Sequence, residues 1–474
     1  MNTPEYDLAI IGAGAAGLIA ADFAVQLGAK TVLLEKGLIG GDCTWTGCVP
    51  SKSLIKVATV AHHARTASRF GIQVSNPIVD MTQVREYLRA TIQQIYEPTM
   101  PDALRKKGME VLLGATRFLD PHTLEVGSQK IRAKNILINT GAEPRIPAIA
   151  GLADVPFFTY QKIFDNDRLP QHMLVLGGGP IGCEIAQAYR RLGAEVTIIA
   201  ERLLPAEDLD VSAIMDRVFA QEGIRRMVAR AESVHQEGAA ITVQTKAGSA
   251  TGDLLFVATG RAPLVNHLGL DAAKVRYSEH GIAVNAHLQT SARHIYAAGD
   301  VIGGPQYSHL AGWQGFQAAR NALLPGSKPG TTEALPRITF TAPEVAQIGL
   351  TEEAARKKFR NNLQIKTFDI HKVDRAVNED DRLGLLKIIA RRNGRIVGAS
   401  IVGERAGETI TEISVAMHNR LKLSDLAAAI HPYPTYSSGV QFLATQMAFE
   451  SAFTGISGKI IRGLSDLWRH RAAE

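Results

Sequence analysis

Short apolar runs separated by glycine-rich turns dominate the chain as far as Asp300, and two segments share one order. Tyr6 to Ile11 is an apolar run with strand character. It leads through Gly12-Ala-Gly14-Ala-Ala-Gly17 into helical spacing to about Leu27, then a second run, Thr31 to Leu34, that stops at Glu35. The order returns at Met173 to Leu176, Gly177-Gly-Gly179-Pro-Ile-Gly182, a helix to Leu192, and Val196 to Ile199. Each predicts a βαβ dinucleotide-binding unit, and two units imply two dinucleotides.

Ser53 to Met109 has helical spacing between the two units. Strands are expected at Ile136 to Ile138, closed by Thr140-Gly141, and at Leu254 to Ala258, closed by Thr259-Gly260. A third, Ile295 to Ala298, runs into Gly299-Asp300. The chain is therefore expected to leave its first domain, build a second and return. From Pro336 the texture changes to strands such as Gly384 to Ala390 and Ile396 to Val402, with helices from Gly407 to about Leu421. The expected fold class is α/β, with two Rossmann-like dinucleotide-binding domains and a C-terminal α+β domain.

A chain of 474 residues is too long for one core and fits about three domains. The 52 basic and 46 acidic residues leave a net charge of +6 but are interleaved, so no nucleic-acid partner is expected. Leu8 to Ala21 is the stretch nearest to a membrane or signal segment. Glu5 and Asp7 precede it, Asp22 ends it and three glycines interrupt it, so it reads as a buried strand and helix of a soluble cytoplasmic protein. Three cysteines are too few for a secreted disulfide scaffold, and the closeness of Cys43 and Cys48 points to catalysis.

In the first unit Gly12 permits the tight turn, Gly14 admits a pyrophosphate, Gly17 lets helix and strand pack, and Glu35 stands where ribose hydroxyls bind. A merely well-packed βα turn would explain the glycines but not Glu35. The second unit repeats the glycines at Gly177, Gly179 and Gly182 but ends its strand with Ala200, Glu201 and Arg202. Absence of a carboxylate beside an arginine suits the 2′-phosphate of NADPH, with NADH as the alternative and a solvated loop charge as the bland reading of Arg202.

Gly40-Gly41-Asp42-Cys43-Thr44-Trp45-Thr46-Gly47-Cys48-Val49-Pro50-Ser51-Lys52 carries the chemistry. A zinc site needs a second pair of soft ligands, and the one further cysteine is Cys183, so no metal centre is expected. Cys48 sits near a helix start with Pro50 in the first turn, where the macrodipole and Lys52 favour its thiolate. Cys43 is then the outer sulfur, open to exchange with substrate. Cys183 reads as a small buried residue.

Together these residues resemble the pyridine nucleotide-disulfide oxidoreductases, in the branch of glutathione reductase, dihydrolipoamide dehydrogenase and mercuric reductase. The resemblance runs from Tyr6 to about Phe449. It implies FAD in the first unit, NAD(P)H in the second, Cys43 as interchange thiol and Cys48 as the thiolate in charge transfer with the flavin. It also implies a Lys52–Glu184 pair beside the isoalloxazine, Ala115, Thr140 and Gly141 along FAD, and Asp300 at its ribityl or phosphate part. Gly41, Gly260 and Gly299 complete the expected cofactor-binding set. The domains expected are an FAD part at 1–150, an NAD(P) part at 151–275, the FAD return at 276–335, a dimerisation domain at 336–450 and a tail at 451–474. A homodimer is implied, with each active site completed by the partner subunit.

The family's disulfide reductases carry a His where Tyr433 stands and a Glu where Ser438 stands, a dyad that shuttles the thiol proton. Pro432-Tyr433 instead is similar to mercuric reductases, although their N-terminal metal-binding module and C-terminal cysteine pair are missing. The leading expectation is a reductase of a thiolate-bound metal ion. Its rival is a disulfide reductase in which His431 replaces the base, and a third reading is a flavin redox sensor or binding protein. Capping for His431 and interface packing for Tyr433 are the bland alternatives. In the tail, Ile456, Ile460, Ile461, Leu464, Leu467 and Trp468 fall at helical spacing among Lys459, Arg462, Arg469 and Arg471. Packing on its own dimer is the preferred reading, ahead of contact with a membrane surface.

Overall fold

The computed structural model describes residues 5–453 and 455–471, and the chain divides into two compact units. The first is Met1–Glu201 with Gly223–Thr332; the second is Arg202–Glu222 with Glu333–Glu474.

In the first unit the order β1 (Tyr6–Ile11), α1 (Ala15–Gln26), β2 (Thr31–Glu35), α2 (Gly41–Trp45), α3 (Cys48–Thr66) is followed by β3 (Glu110–Leu113), β4 (Thr116–Asp120), β5 (Thr123–Val126) and β6 (Gln129–Ile138). The sheet runs β3-β2-β1-β6-β5-β4. Parallel pairing of β1 with both β2 and β6 puts it at the centre. Leu8, Ile10 and Leu33 bury against Ala16, Ala20 and Ala24 of α1, while Ala9, Ile11, Val32 and Leu34 bury in a second core with Ile136 and Ile138. A parallel strand covered on both faces has no solvent side, which is why these runs show no alternation. Each buried Leu, Ile or Val side chain contributes about 1.5–3 kcal/mol.

A second, four-stranded parallel sheet is built from β7 (His172–Leu176), α4 (Pro180–Leu192), β8 (Glu195–Ile199), β9 (Ile224–Met227) and β10 (Leu254–Val257), in the strand order β9-β8-β7-β10. The chain then returns: β11 (Ile295–Ala297) pairs in parallel with β6, and α5 (Ser308–Leu323) follows. Gly315 brings α5 directly onto α1, since a Cβ there would meet the Ala16 carbonyl oxygen at 2.2 Å.

The second unit holds an antiparallel sheet of β12 (Pro336–Thr339), β13 (Glu344–Gly349), β14 (Leu363–Asp369), β15 (Leu385–Arg391) and β16 (Ile396–Gly403), ordered β12-β13-β16-β15-β14. Helices α6 (Ala406–His418) and α7 (Ser437–Phe453) share its core through Ile410, Ile413 and Leu443 against Ile388 and Ile401. Both expected Rossmann-like domains and the C-terminal α+β domain are thus present.

Residues 202–222, assigned by sequence to the 151–275 stretch, associate instead with the C-terminal unit, and their charges give the reason. Lys387 of β15, 2% exposed, places its ammonium 2.5 Å from Asp210, 3.1 Å from Glu352 and 3.4 Å from Asp208. Arg337 pairs with buried Glu207 at 3.0 Å. Removing Lys387 would leave Asp208, 5% exposed, short of its buried cation, a cost of several kcal/mol, whereas Asp210 and Glu352 keep contact with water.

A last helix, α8 (Gly455–Arg471), leaves Ile460, Ile461, Leu464, Leu467 and Trp468 exposed on this chain. The side chains of Ile456 and Arg471, also part of the expected pattern, lie outside the described residues. Among the described residues no helix is long and apolar enough to cross a membrane.

Candidate active site

The two glycine turns are built alike. Gly12 (φ 102°) and Gly177 (φ 115°) occupy the left-handed region, and a Cβ on them would meet the Asn139 and Ala258 carbonyl oxygens, each at 2.4 Å. Gly17 and Gly182 face the first glycine of each turn, where a Cβ would lie 1.9 Å and 2.2 Å from its carbonyl oxygen. Gly14 and Gly179, by contrast, have open space where a Cβ would stand, apart from the Gly41 Cα at 3.9 Å from the former. They are the N-caps of α1 and α4, and neither helix has a side-chain cap. An uncapped helix start facing open space is the cradle that a pyrophosphate fits.

Glu35 is fixed by backbone donors: Ala13 N–H reaches Oε2 at 2.7 Å and Gly37 N–H reaches Oε1 at 2.8 Å. The buried amide of Asn139 lies beside Gly17 and has no hydrogen-bond partner among the described residues. These observations fit FAD at the first turn and a nicotinamide dinucleotide at the second.

Other expected cofactor residues line the same unit. Ala115 lies between β3 and β4, Thr140 Oγ1 donates to the Leu264 carbonyl at 2.7 Å, and Gly141 and Gly260 both have positive φ. Gly299 donates its N–H to Gln314 at 3.0 Å. Arg202 falls in the second unit, where its guanidinium donates to the Pro205 and Glu207 carbonyls of its own loop. On the first unit's side, Arg226 donates to the Glu201 carbonyl at 2.9 Å and Arg230 pairs with the Glu201 carboxylate at 2.7 Å. Neither arginine was singled out in the sequence, because β9 carries no glycine motif.

Cys48 is the first residue of α3, and Cys43 lies within the five-residue α2. Their side chains are hydrogen-bonded, and this bond from Cys43 is the largest influence drawing the Cys48 thiol down to about 6. Burial opposes that shift; the Ser308 hydroxyl, 3.2 Å from Cys48 Sγ, and the Lys52 charge reinforce it. Cys43 moves the other way, held protonated by Cys48 and by burial. The pair is therefore asymmetric, with Cys48 favoured as the thiolate and Cys43 as the thiol. Lys52, one turn along α3, donates to Glu184 of α4 at 2.8 Å, and the carboxylate is 7% exposed. Cys183, beside it, is fully buried and donates to the Gly178 carbonyl.

Besides Ser308, sequence reasoning missed two residues, Tyr160 and Arg261, that converge on Asp42, next to Cys43. Arg261 places Nη1 2.5 Å from Asp300 and Nη2 2.6 Å from Asp42. Tyr160 donates to the same Asp42 oxygen at 2.9 Å and accepts from Arg261 Nε at 3.2 Å. Burial pushes the Asp300 carboxyl up, and Arg261 partly offsets it. Arg261 adjoins the quoted Thr259-Gly260, so proximity in sequence was the available signal, and Asp42 was quoted inside the cysteine stretch without a role. Tyr160 carried none.

In the second unit His431 is engaged at both ring nitrogens, with Glu412 Oε2 at 2.7 Å and the Ala429 carbonyl at 3.0 Å. Tyr433 is 73% exposed and donates to Asp374 at 2.5 Å. Ser438 turns back to donate to the Thr435 carbonyl at 2.6 Å.

Two Rossmann-type nucleotide cradles with a polarised cysteine pair at a helix start define a dinucleotide-dependent dithiol flavoenzyme. The chain belongs to the pyridine nucleotide-disulphide oxidoreductases: that family's model matches residues 6–315, and its dimerisation domain matches residues 335–444. It is therefore an FAD-dependent oxidoreductase with NAD(P)H as electron donor. The mercuric reductase of Streptomyces lividans is 36% identical over 93% of this chain and 95% of its own length. The dihydrolipoyl dehydrogenase of Thermus scotoductus is 34% identical, over 92% and 96%. Among solved structures, LpdA of Mycobacterium tuberculosis has a TM-score of 0.85 at 28% identity, covering 93% of this chain and 99% of that one. The HOCl-induced flavoprotein disulfide reductase RclA of Escherichia coli has a TM-score of 0.84 at 26% identity, covering 93% and 99%.

Proposed function

We propose that this protein is a homodimeric, mercuric-reductase-like enzyme that uses NADPH to reduce a thiolate-bound metal ion, Hg(II) being the type case. The observation that carries the reading is the pair Tyr433 and Ser438 at the positions of the family's proton-shuttling His and Glu. His431 does not make up the loss, because both its ring nitrogens are already engaged. A metal thiolate needs no such base: NADPH + H⁺ + Hg(SR)₂ gives NADP⁺ + Hg(0) + 2 RSH. Four of the mercuric reductases similar to this chain, including that of Lysinibacillus sphaericus at 33% identity, lend support, as does a structure of RclA as a Cu(II) complex.

FAD, when bound, supplies two-electron storage between the nicotinamide and the thiol pair. The chain's own residues set the rest. Cys43 exchanges with the substrate's thiolate ligands, Cys48 holds the inner thiolate, Ser308 hydrogen-bonds it, and Lys52 with Glu184 sets the local charge. Ala200, standing where Glu35 stands in the first unit, leaves the second ribose site open to a 2′-phosphate, with Arg226 and Arg230 of the same unit as its cations. The FAD segments are 1–150 and 276–335, the NADPH segment 151–275, the dimer domain 336–450 and the tail 451–474, all within a cytoplasmic protein.

NADPH oxidation measured with Hg(II) in excess thiol, glutathione disulfide and oxidised lipoamide tests this. Fast turnover with Hg(II) alone is expected; fast turnover with either disulfide would refute it and favour the second reading, a disulfide reductase like RclA.

A further inference from the structure

The helix that carries Cys43 is five residues long, too short to hold its own shape. It is entered through two left-handed glycines, Gly40 (φ 109°) and Gly41 (φ 60°). Its C-terminal end is tied by the Trp45 indole N–H to the Ile39 carbonyl at 2.8 Å. A further tether is Asp42, next to Cys43. One oxygen of its carboxylate accepts from both Tyr160 and Arg261, and Arg261, 16% exposed, reaches Asp300 with its other arm. Two carboxylates thus share one cation, and Tyr160 braces the same cation through Nε. This planar, forked recognition is what a guanidinium supplies and a lysine does not. Cys48 needs no equivalent, since it begins the 19-residue α3.

We propose that Asp42 is a positioning residue for the outer sulfur: the Asp42–Tyr160–Arg261 clasp holds Cys43 within bonding reach of Cys48 and thereby sets how readily the two thiols join. This rests on the redox reading of the cysteine pair. The step is E(SH)₂ + GSSG ⇌ E(S–S) + 2 GSH, in which the enzyme's sulfurs are oxidised, one S–S bond forms and one breaks, and both protons end on glutathione. Holding Cys43 in place raises its effective concentration at Cys48. Releasing it weakens ring closure without touching either sulfur.

The equilibrium constant with glutathione is measured on FAD-loaded protein by quantifying free thiols, alongside FAD content. For Asp42→Asn, with Arg261 still on Asp300, FAD content should hold while the constant falls about tenfold; Tyr160→Phe should lower it about threefold. A constant within twofold of wild type in a variant that keeps its FAD overturns the proposal. Should Asp42→Asn lose FAD, Tyr160→Phe decides by the same criterion. A wild-type protein whose two thiols never join would overturn the underlying redox reading instead.

Discussion

Cys48 Sγ lies 3.2 Å from the Ser308 hydroxyl, across 260 residues of sequence. Because the folded pKa of Cys48 is lowered, its thiolate is present above about pH 6 and disappears as pH falls through that value. Alkylation of Cys48 in the reduced protein should therefore titrate near 6, and Ser308→Ala should move the midpoint upward by removing a donor to the thiolate. A wild-type midpoint at the ordinary thiol value, about 8.5, would contradict the assignment.

Replacing Cys48 with Ser should abolish the long-wavelength charge-transfer absorbance of the two-electron-reduced holoenzyme, whereas Cys43→Ser should keep or strengthen it. Absorbance spectra under anaerobic NADPH titration decide this. An unchanged band in the Cys48 variant would exchange the roles of the two sulfurs.

Lys52 is the partner of an almost buried carboxylate. Lys52→Met alone should cost about 1–3 kcal/mol, the lysine itself being partly exposed to solvent, because Glu184 is left without its cation. The double variant Lys52→Met with Glu184→Gln should recover at least half of that. Urea denaturation of the apoprotein measures both, and a double variant no better than the single would show that the pair is not energetically linked.

The glycine turns separate the two cofactors. Gly182→Ala would drive a Cβ to 2.2 Å of the Gly177 carbonyl, so NADPH affinity should fall at least tenfold while FAD is retained. Gly17→Ala, at 1.9 Å, should instead yield protein purified without FAD. Flavin content and NADPH titration distinguish them, and loss of FAD in the first variant would argue against two separate cradles.

Asp381 is raised to about 6, chiefly by burial, while the Glu404 N–H and the Tyr436 hydroxyl work against the shift. A carboxyl raised on folding disfavours the native state once it ionises, so its penalty is fully present above about pH 6 and fades as pH falls. Asp381→Asn should accordingly stabilise the protein by up to about 1 kcal/mol near pH 8 and by progressively less below 6. Thermal melts at the two pH values test it, and an equal gain at both would exclude titration as the cause.

Much of the first unit was legible because its signals are local. The glycine turns, the apolar strands with no solvent face and the cysteine pair each lie within a few residues of chain. Ser308, Tyr160 and Arg261 escaped because what assigns them is a contact made over 260, 118 and 219 residues, and none carries a pattern of its own. The grouping of 202–222 with the C-terminal unit escaped for the same reason, since Lys387 reads as an ordinary strand lysine until three carboxylates converge on it. His431 was expected to replace the base or to act as a cap, and its partner Glu412 lies 19 residues away with no pattern joining the two.

The carboxylate of Glu35, fixed by two backbone donors, also bears on which dinucleotide the first turn would accept. Both turns have nearly the same glycine geometry, so shape alone would not stop NADPH from lodging in the flavin's place. A 2′-phosphate brought to about 4 Å of Glu35 would meet a repulsion of at least about 1 kcal/mol per pair of charges even in water, and more behind protein walls. At the second turn the same position is Ala200, which exerts no such force. One fixed charge thus weights the first cradle against a 2′-phosphate by about fivefold for each 1 kcal/mol of repulsion, and no such charge stands at Ala200.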